Sequence, residues 1–168
     1  KRASDADMTA QAKRLLPHCR AAGVPLVIND RLSVALASGA DGLHIGQGDG
    51  DPKAARAALG AGKILGLSIE TEAQVAAIPS DCIDYIGAGP IRATATKPDA
   101  AEPLGFDGLF RVAARSPVPT VAIGGIGLGD VAALKAAGCA GMAIVSAISA
   151  APDPEAATRA LVTAWGQA

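Results

Sequence analysis

The chain has 168 residues, half of them apolar, and its 15 basic side chains nearly balance its 16 acidic ones. This length supports one sizeable hydrophobic core, while balanced charge and only 2% aromatic residues argue against nucleic acid as a partner. Three widely spaced cysteines indicate neither a disulfide framework nor a zinc knuckle. With no apolar run of membrane-spanning length and no signal-peptide pattern, we expect a cytoplasmic protein without a membrane partner.

Six short apolar runs alternate with longer alanine-rich segments, which is the pattern of βα units around a buried parallel sheet. The predicted strands are Val24 to Asn29, Gly42 to Gly46, Ile64 to Ser68, Ile83 to Gly89, Thr120 to Gly124 and Gly141 to Ser146. None of them alternates apolar with polar residues, as expected when both faces of a strand are covered. The sequence therefore predicts an α/β domain with parallel strands.

Local capping signals mark the ends of the predicted helices. Ser4 and Asp7 indicate the start of the first helix, and Gly23 indicates its end. Pro52 and Gly60 bracket a later helix. Further helix starts are predicted at Thr71 with Gln74 and at Asp153 with Pro154.

Polar or glycine residues follow all six predicted strands. In an open sheet the ligand groups concentrate at one switch point, whereas in a (β/α)8 barrel the ends of many strands contribute. The sequence therefore favours part of a TIM barrel, forming a single domain over residues 1–168, with the polar groups at one mouth.

Two carboxylates follow consecutive predicted strands. Asn29-Asp30 lie at the end of the first strand, with Asp30 directly after it, and Asp49 follows the second. Separated oxygen ligands of this kind suit Mg²⁺ completed by substrate phosphate oxygens, although each aspartate alone is more often a turn or helix-cap residue. His44 lies within the second strand, where a core or barrel-lining role is the simpler interpretation. No Ser-His or Cys-His arrangement for a nucleophile is evident.

Two other segments carry groups suited to phosphate. Gly124-Gly125 and Val145-Ser146 follow the last two predicted strands, the usual place of a barrel phosphate site, with tight turns as the alternative. The polar segment 87–98 contains Thr94, Thr96 and Lys97, which could close over a diphosphate. A solvated lysine in a surface loop is the alternative there.

Five motifs in this order resemble the thiamine phosphate synthase family: PLVINDR (25–31), ADGLHIGQ (40–47), DYIGAGPI (84–91), TATKP (94–98) and AIGGI (122–126). The resemblance implies a TIM (β/α)8 barrel with only six of its eight strands encoded in this chain. It also implies a transferase of thiamine biosynthesis that couples hydroxymethylpyrimidine diphosphate to thiazole phosphate and releases diphosphate, with Mg²⁺. The family reaction is dissociative and passes through a pyrimidine methylene cation.

The resemblance assigns a role to individual positions. Asp30 and Asp49 would hold Mg²⁺, and Asn29 would contact the pyrimidine or its diphosphate. Ser68 would lie at the reacting centre, and His44 would line the pyrimidine pocket. Lys97 would bind the diphosphate, and Thr94 and Thr96 would contact the thiazole phosphate or order the loop. The thiazole phosphate would be bound at Gly125, Val145 and Ser146, and Lys1 matches the lysine of a family Gln-x-Arg-x-Lys pattern.

The sequence departs from the family pattern in three respects. No βαβ unit precedes Lys1, so we expect a parent chain with roughly 40 to 50 further N-terminal residues. Glu70 stands where the family commonly has histidine, and Arg92-Ala93 replaces an aromatic-proline pair, which adds a charge at the loop. Open sheet edges would favour pairing with a partner chain, such as a homo-oligomer.

Two alternative functions stay open at this point. A thiazole tautomerase shares the barrel and phosphate site but has histidine where this chain has Pro90. A non-catalytic phosphate-binding remnant would fit the absent N-terminal unit.

Overall fold

The structure is a computed structural model that describes residues 3–94 and 101–167. By their contacts, these residues divide into two compact units. The first unit comprises residues 3–68 and 79–85, and the second comprises residues 69–78, 86–94 and 101–167. Lys1, Thr96 and Lys97 were singled out in the sequence and lie outside the described residues. The expectation of a single domain stays a prediction.

Helices and parallel strands alternate through the first unit. In chain order they are α1 (Asp5–Ala21), β1 (Val27–Asn29), α2 (Leu32–Ser38), β2 (Gly42–Ile45), α3 (Pro52–Leu59) and β3 (Ile64–Ile69), which runs one residue past the unit. β1 pairs in parallel with β2, and β2 pairs in parallel with β3. Asn29 therefore lies opposite His44, and His44 lies opposite Gly66. The predicted parallel pairing is confirmed in this unit.

Capping chemistry explains where these helices begin. The Ser4 hydroxyl accepts a hydrogen bond from the Asp7 backbone N–H at 3.1 Å, as the sequence predicts. Asp51 caps α3 by accepting from the backbone N–H groups of the first turn, Pro52 occupies its first position, and Gly60 ends it. These local signals are short-range, so they are readable without knowledge of the fold.

Arg56, on α3, fixes the segment that leads into the candidate site. Its guanidinium donates to the backbone oxygens of Lys63 at 2.6 Å and Cys82 at 2.8 Å, and to the Asp84 carboxylate at 2.7 Å. Asp84 also accepts from the backbone N–H of Leu65, inside β3, at 2.7 Å. These bonds hold the start of β3 against residues 82–84, directly before Tyr85.

The second unit begins with a 3₁₀-helix (Glu72–Ala77) and contains the rest of the strands. They are β4 (Tyr85–Ala88), which starts at the last residue of the first unit, β5 (Thr120–Ile123) and β6 (Gly141–Ala143). Its other helices are α4 (Gly105–Arg115), a 3₁₀-turn (Leu128–Asp130), α5 (Val131–Ala136), α6 (Ser146–Ser149) and α7 (Pro154–Gln167). β5 pairs in parallel with β4 and with β6, over a core that includes fully buried Ile86, Leu109 and Leu134. Within the described ranges, no helix is long and apolar enough to cross a membrane.

Predicted boundaries differ from the structure at several elements; β4, for example, is Tyr85–Ala88 rather than Ile83 to Gly89. β1 starts at Val27 rather than Val24, because Pro25 has no N–H and the N–H of Leu26 donates to the Asp41 side chain at 2.9 Å instead of a strand. The Gln74 side chain accepts from the Thr71 N–H at 3.1 Å, but the Thr71 side chain makes no cap hydrogen bond, and the helix that follows is 3₁₀ and stops before Pro79. The last strand ends at Ala143, since Ser146 already begins α6.

Candidate active site

Asp30 directly follows β1 and has an unusual backbone conformation. Its φ is +65°, which makes it the only non-glycine residue with positive φ among those the structure describes. Its N–H donates to the His44 backbone oxygen at 2.8 Å, so the turn is tied to β2. The left-handed region costs an L-residue roughly 1–2 kcal/mol, and aspartate is one of the few side chains that tolerate it. Such outliers cluster at functional sites.

Asp49 follows the neighbouring strand, β2, and is exposed. Its Oδ2 accepts from the backbone N–H of Gly46 at 2.7 Å, which fixes the carboxylate against the strand end. A Cβ on Gly46 would lie 3.0 Å from that same oxygen, so the close turn favours glycine. Both candidate metal ligands thus lie after paired parallel strands, as the sequence indicates.

The donor chemistry of these two carboxylates fits Mg²⁺. Among residues 3–94 and 101–167, no group of three or more His, Cys, Asp or Glu side chains is arranged to hold a metal. Mg²⁺ is commonly held by one or two carboxylates, with waters and substrate phosphates completing its shell. Asp30 and Asp49 match that requirement in kind and number, and their role as metal ligands stays a prediction.

Three side chains of the first unit form a hydrogen-bonded row. His44 Nε2 lies 2.9 Å from Ser68 Oγ, and His44 Nδ1 lies 2.9 Å from Tyr85 Oη. The structure thus contains a Ser-His hydrogen bond that is not evident in the sequence, and the expectation that no serine acts as a nucleophile stays a prediction. The pair escapes sequence inspection because its members are 24 residues apart and meet only through the pairing of β2 with β3.

Burial decides the charge of this row. Desolvation lowers the pKa of His44 to about 4, although the negative charge of Asp49 acts to raise it. The imidazole is therefore neutral near pH 7. Burial also raises the pKa of Tyr85, which keeps its phenol protonated. The row is therefore a chain of neutral donors and acceptors.

Gly66 and Gln47 complete this cluster, and sequence reasoning gave no individual role to them or to Tyr85. A Cβ on Gly66 would lie 2.3 Å from the Tyr85 ring and 2.5 Å from His44 Nδ1, so only glycine leaves room for their contact. The Gln47 amide donates to the Ser68 backbone oxygen at 2.6 Å. Tyr85 and Gln47 both stand within the quoted motifs, and that was the signal available for them.

The two glycines predicted to bind phosphate lie in the second unit, directly after β5. Gly124 and Gly125 have φ of +83° and +69°. Added Cβ atoms would lie 2.7 Å from Pro90 Cβ and 2.8 Å from Arg92 Cβ, respectively. Packing against the segment after β4 is thus sufficient reason for both glycines, and phosphate binding by them stays a prediction.

Arg92 does not add an unpaired charge at this place. Its guanidinium donates two hydrogen bonds of 2.7 Å to Asp130 and lies 5.0 Å from the Phe106 ring centroid. The charge expected from the Arg92-Ala93 departure is therefore neutralised within the unit.

The other predicted phosphate-binding residues lie at the start of α6 and at position 94. Val145 is exposed and directly precedes α6, which Ser146 begins. Thr94 is the last described residue before position 95. Their roles, like those of Asn29 and Ser68, stay predictions.

Comparison with known proteins identifies the family. A family model described as thiamine monophosphate synthase matches residues 1–148. The thiamine-phosphate synthase of Roseiflexus castenholzii is 45% identical over 154 residues, which cover 92% of this chain and 68% of the relative. The thiamine biosynthesis bifunctional protein ThiM/ThiE of Symbiobacterium thermophilum is 48% identical, over 90% of this chain and 32% of its own length. The chain thus spans about a third of the bifunctional relative and about two thirds of the synthase.

Solved structures confirm the predicted α/β barrel class. Thiamine phosphate pyrophosphorylase from Pyrococcus furiosus has a TM-score of 0.90 and 29% identity, covering 99% of this chain and 80% of its own. N-(5'-phosphoribosyl)anthranilate isomerase from the same organism has a TM-score of 0.68 at 12% identity, covering 95% of this chain and 81% of its own, and shows the fold alone. The match of the family model and the identity to named synthases agree with each other. The chain belongs to the thiamine monophosphate synthase family.

Proposed function

We propose that the chain carries catalytic residues of a thiamine-phosphate synthase. The reaction joins hydroxymethylpyrimidine diphosphate to thiazole phosphate. The bond between the pyrimidine methylene carbon and the diphosphate oxygen breaks with its electron pair leaving on diphosphate, and the thiazole nitrogen then captures the cation. The observation that carries the proposal is the placement of Asp30 and Asp49 after paired parallel strands in a chain that matches this family.

The first unit supplies groups suited to the pyrimidine diphosphate. Asp30 and Asp49 would hold Mg²⁺, which when bound offsets the negative charge of the diphosphate. Asn29 would contact the pyrimidine or its diphosphate, and the Ser68 hydroxyl would lie at the reacting centre. His44, neutral and half-buried, would line the pyrimidine pocket without adding a positive charge near the cation.

Residues of the second unit would bind the thiazole phosphate. The backbone at Gly125, Val145 and Ser146 offers N–H donors, and Thr94 offers a hydroxyl. Lys97 would neutralise charge on the departing diphosphate, Thr96 would assist at the thiazole phosphate, and Lys1 would add a further cation.

The decisive experiment measures thiamine phosphate formed from the two synthetic substrates, with and without Mg²⁺. We expect product only with both substrates and strongly more with Mg²⁺. Lys97→Ala should reduce turnover by at least ~100-fold if it offsets leaving-group charge. Lys53→Ala is the matched control, because Lys53 is exposed and its Asp81 partner is 3.8 Å away. Lys63 is unsuitable as a control, since its Nζ donates to the Ala40 backbone oxygen at 2.7 Å.

The same assay separates the alternatives. Conversion of the thiazole precursor without coupling would support the tautomerase, and phosphate binding without either conversion would support a non-catalytic role. We further propose that the protein acts in the cytoplasm on these small molecules and forms a homo-oligomer. Light scattering of the purified chain tests the oligomer, and a monomeric mass would contradict it.

A further inference from the structure

We infer that Tyr85 is a positioning residue: it holds His44 as the Nε2–H tautomer, which leaves the Ser68 hydroxyl proton free to be donated to substrate. This inference rests on the proposed function for the identity of the substrate, but its structural part does not. No assigned role above includes Tyr85, and none states which way the Ser68 hydroxyl points.

The geometry allows only two arrangements of protons. A neutral imidazole has one N–H and one bare nitrogen, and here each ring nitrogen lies 2.9 Å from a hydroxyl oxygen. If Tyr85 donates to Nδ1, then Nε2–H donates to Ser68. If Ser68 donates to Nε2, then Nδ1–H donates to Tyr85. The two arrangements leave the spare hydroxyl proton at opposite ends of the row.

The relative acidity of the two hydroxyls favours the first arrangement. A phenol, with an ordinary pKa near 10, is a far stronger hydrogen-bond donor than an aliphatic hydroxyl such as serine. The bare imidazole nitrogen is the strongest acceptor in the row. The best donor therefore pairs with the best acceptor when the Tyr85 O–H points at His44 Nδ1.

The surroundings of the two hydroxyls favour the same arrangement. His44 is the one hydrogen-bond partner of the Tyr85 hydroxyl among the residues that the structure describes, so a Tyr85 proton turned away from His44 would find no acceptor there. Ser68 is half-buried and lies one residue before the end of β3, the strand end at which site groups were predicted. A proton on Ser68 that does not point at His44 is available to a ligand.

With the protons arranged in this way, Ser68 is a hydrogen-bond donor and not an activated nucleophile. In hydrolases with a Ser-His pair, the imidazole accepts the serine proton through a bare nitrogen. Here the nitrogen facing Ser68 carries the proton, so it has no capacity to accept another. The Ser68 hydroxyl can instead donate to an acceptor atom of the pyrimidine diphosphate without any proton being transferred.

Nitrogen-15 NMR of the labelled chain tests the tautomer directly. The chain has two histidines, His18 and His44, and exposed His18 provides the reference signal. We expect the proton of His44 on Nε2 and a bare Nδ1. A proton on Nδ1 would overturn the inference. This measurement needs neither a variant nor catalysis. It therefore tests the tautomer even if no thiamine phosphate is formed, an outcome that would contradict only the proposed function.

Tyr85→Phe tests the positioning role, because it removes one hydroxyl and keeps the ring. We expect the His44 signals to shift toward a mixture of tautomers and kcat to fall by about 10-fold, the effect of about one hydrogen bond, with KM unchanged. Thr158→Val removes an exposed hydroxyl on α7, in the second unit, and should change neither. Unaltered tautomer signals in folded Tyr85→Phe would contradict the role of Tyr85.

A phosphonofluoridate that labels activated serines provides a second, independent readout. We expect no labelling of Ser68 at concentrations that label a serine hydrolase completely. Covalent labelling of Ser68, located by mass spectrometry and absent from Ser68→Ala, would show an activated nucleophile and overturn the inference.

Discussion

Arg92 and Asp130 are joined by two hydrogen bonds of 2.7 Å, which tie the segment after β4 to the turn after β5. Arg92 also donates to the Gly125 backbone oxygen at 3.2 Å, and Asp130 accepts from the Gly127 N–H at 2.9 Å. The pair therefore fixes the turn after β5 at both Gly125 and Gly127. Neither Arg92 nor Asp130 was assigned a role from the sequence.

The strength of this pair is expected to be measurable but modest. Asp130 is 15% exposed and Arg92 49% exposed, so solvent screens part of the attraction. A cycle of Arg92→Ala, Asp130→Ala and the double variant should give a small favourable coupling in the free energy of unfolding. The pair of Arg111 with Glu72, joined by a single carboxylate oxygen at 2.8 Å, is the matched control and should give less. No coupling between Arg92 and Asp130 would contradict this view.

The same pair predicts a dependence of stability on pH. Hydrogen bonds from Arg92 hold the pKa of Asp130 below its ordinary value of 3.8. A lowered carboxyl pKa contributes stability above the unfolded value, and that contribution is lost as the pH falls through the folded value. The free energies of unfolding of the unsubstituted chain and of Asp130→Asn should therefore differ at pH 7 and become equal well below pH 3.8. A difference that persists there would mean that the carboxylate charge is not the cause.

Gly66→Ala should disturb the row of Ser68, His44 and Tyr85. The new methyl would lie within 2.3 Å of the Tyr85 ring, so strands or side chains must shift. Overpacking of this kind typically costs about 1–3 kcal/mol in the free energy of unfolding. Gly62→Ala is the control, because its Cβ would have no neighbour within 4 Å. Equal denaturation midpoints for the two variants would show that the cluster is loosely packed.

Asp30 allows stability and activity to be separated. Asp30→Gly suits the φ of +65°, so we expect the free energy of unfolding to change by less than about 1 kcal/mol. Mg²⁺-dependent turnover should nevertheless fall at least ~100-fold, because a metal-binding carboxylate is lost. Asp49→Ala should lose turnover similarly, whereas Asp81→Ala, at an exposed position, should not. Retained Mg²⁺ dependence in Asp30→Gly and Asp49→Ala would contradict the metal assignment.

Much of the fold is predictable because its signals are local. A cap such as Ser4 acts on an N–H three residues away, and a buried strand is recognisable from its own residues. Asp30 and Asp49 could be singled out for the same reason, because each follows an apolar run within a few residues. The segment Glu72–Ala77 shows the limit of this reasoning, since the signal at Thr71 predicts where a helix begins but not that it is a 3₁₀-helix.

Contacts that depend on tertiary pairing could not be predicted. His44 meets Tyr85 across 41 residues, and Arg92 meets Asp130 across 38. Neither partner carries a local pattern that points to the other. The room at Gly66 is likewise invisible in the sequence, where this glycine is one of 20. Sequence motifs identified the segments, and only strand pairing identified the partners.

The position of Tyr85 also has a spectroscopic consequence. It is the sole tyrosine of the chain, and Trp165 is the sole tryptophan. Tyr85 lies in the first compact unit, and Trp165 lies in the second, where Lys135 Nζ sits 5.4 Å from its ring centroid. Excitation at the red edge of the spectrum selects the tryptophan, and Trp165→Phe leaves Tyr85 as the main emitter. Each unit thus contains its own intrinsic fluorophore, and coincident or separate melting of the two signals shows whether the units unfold together.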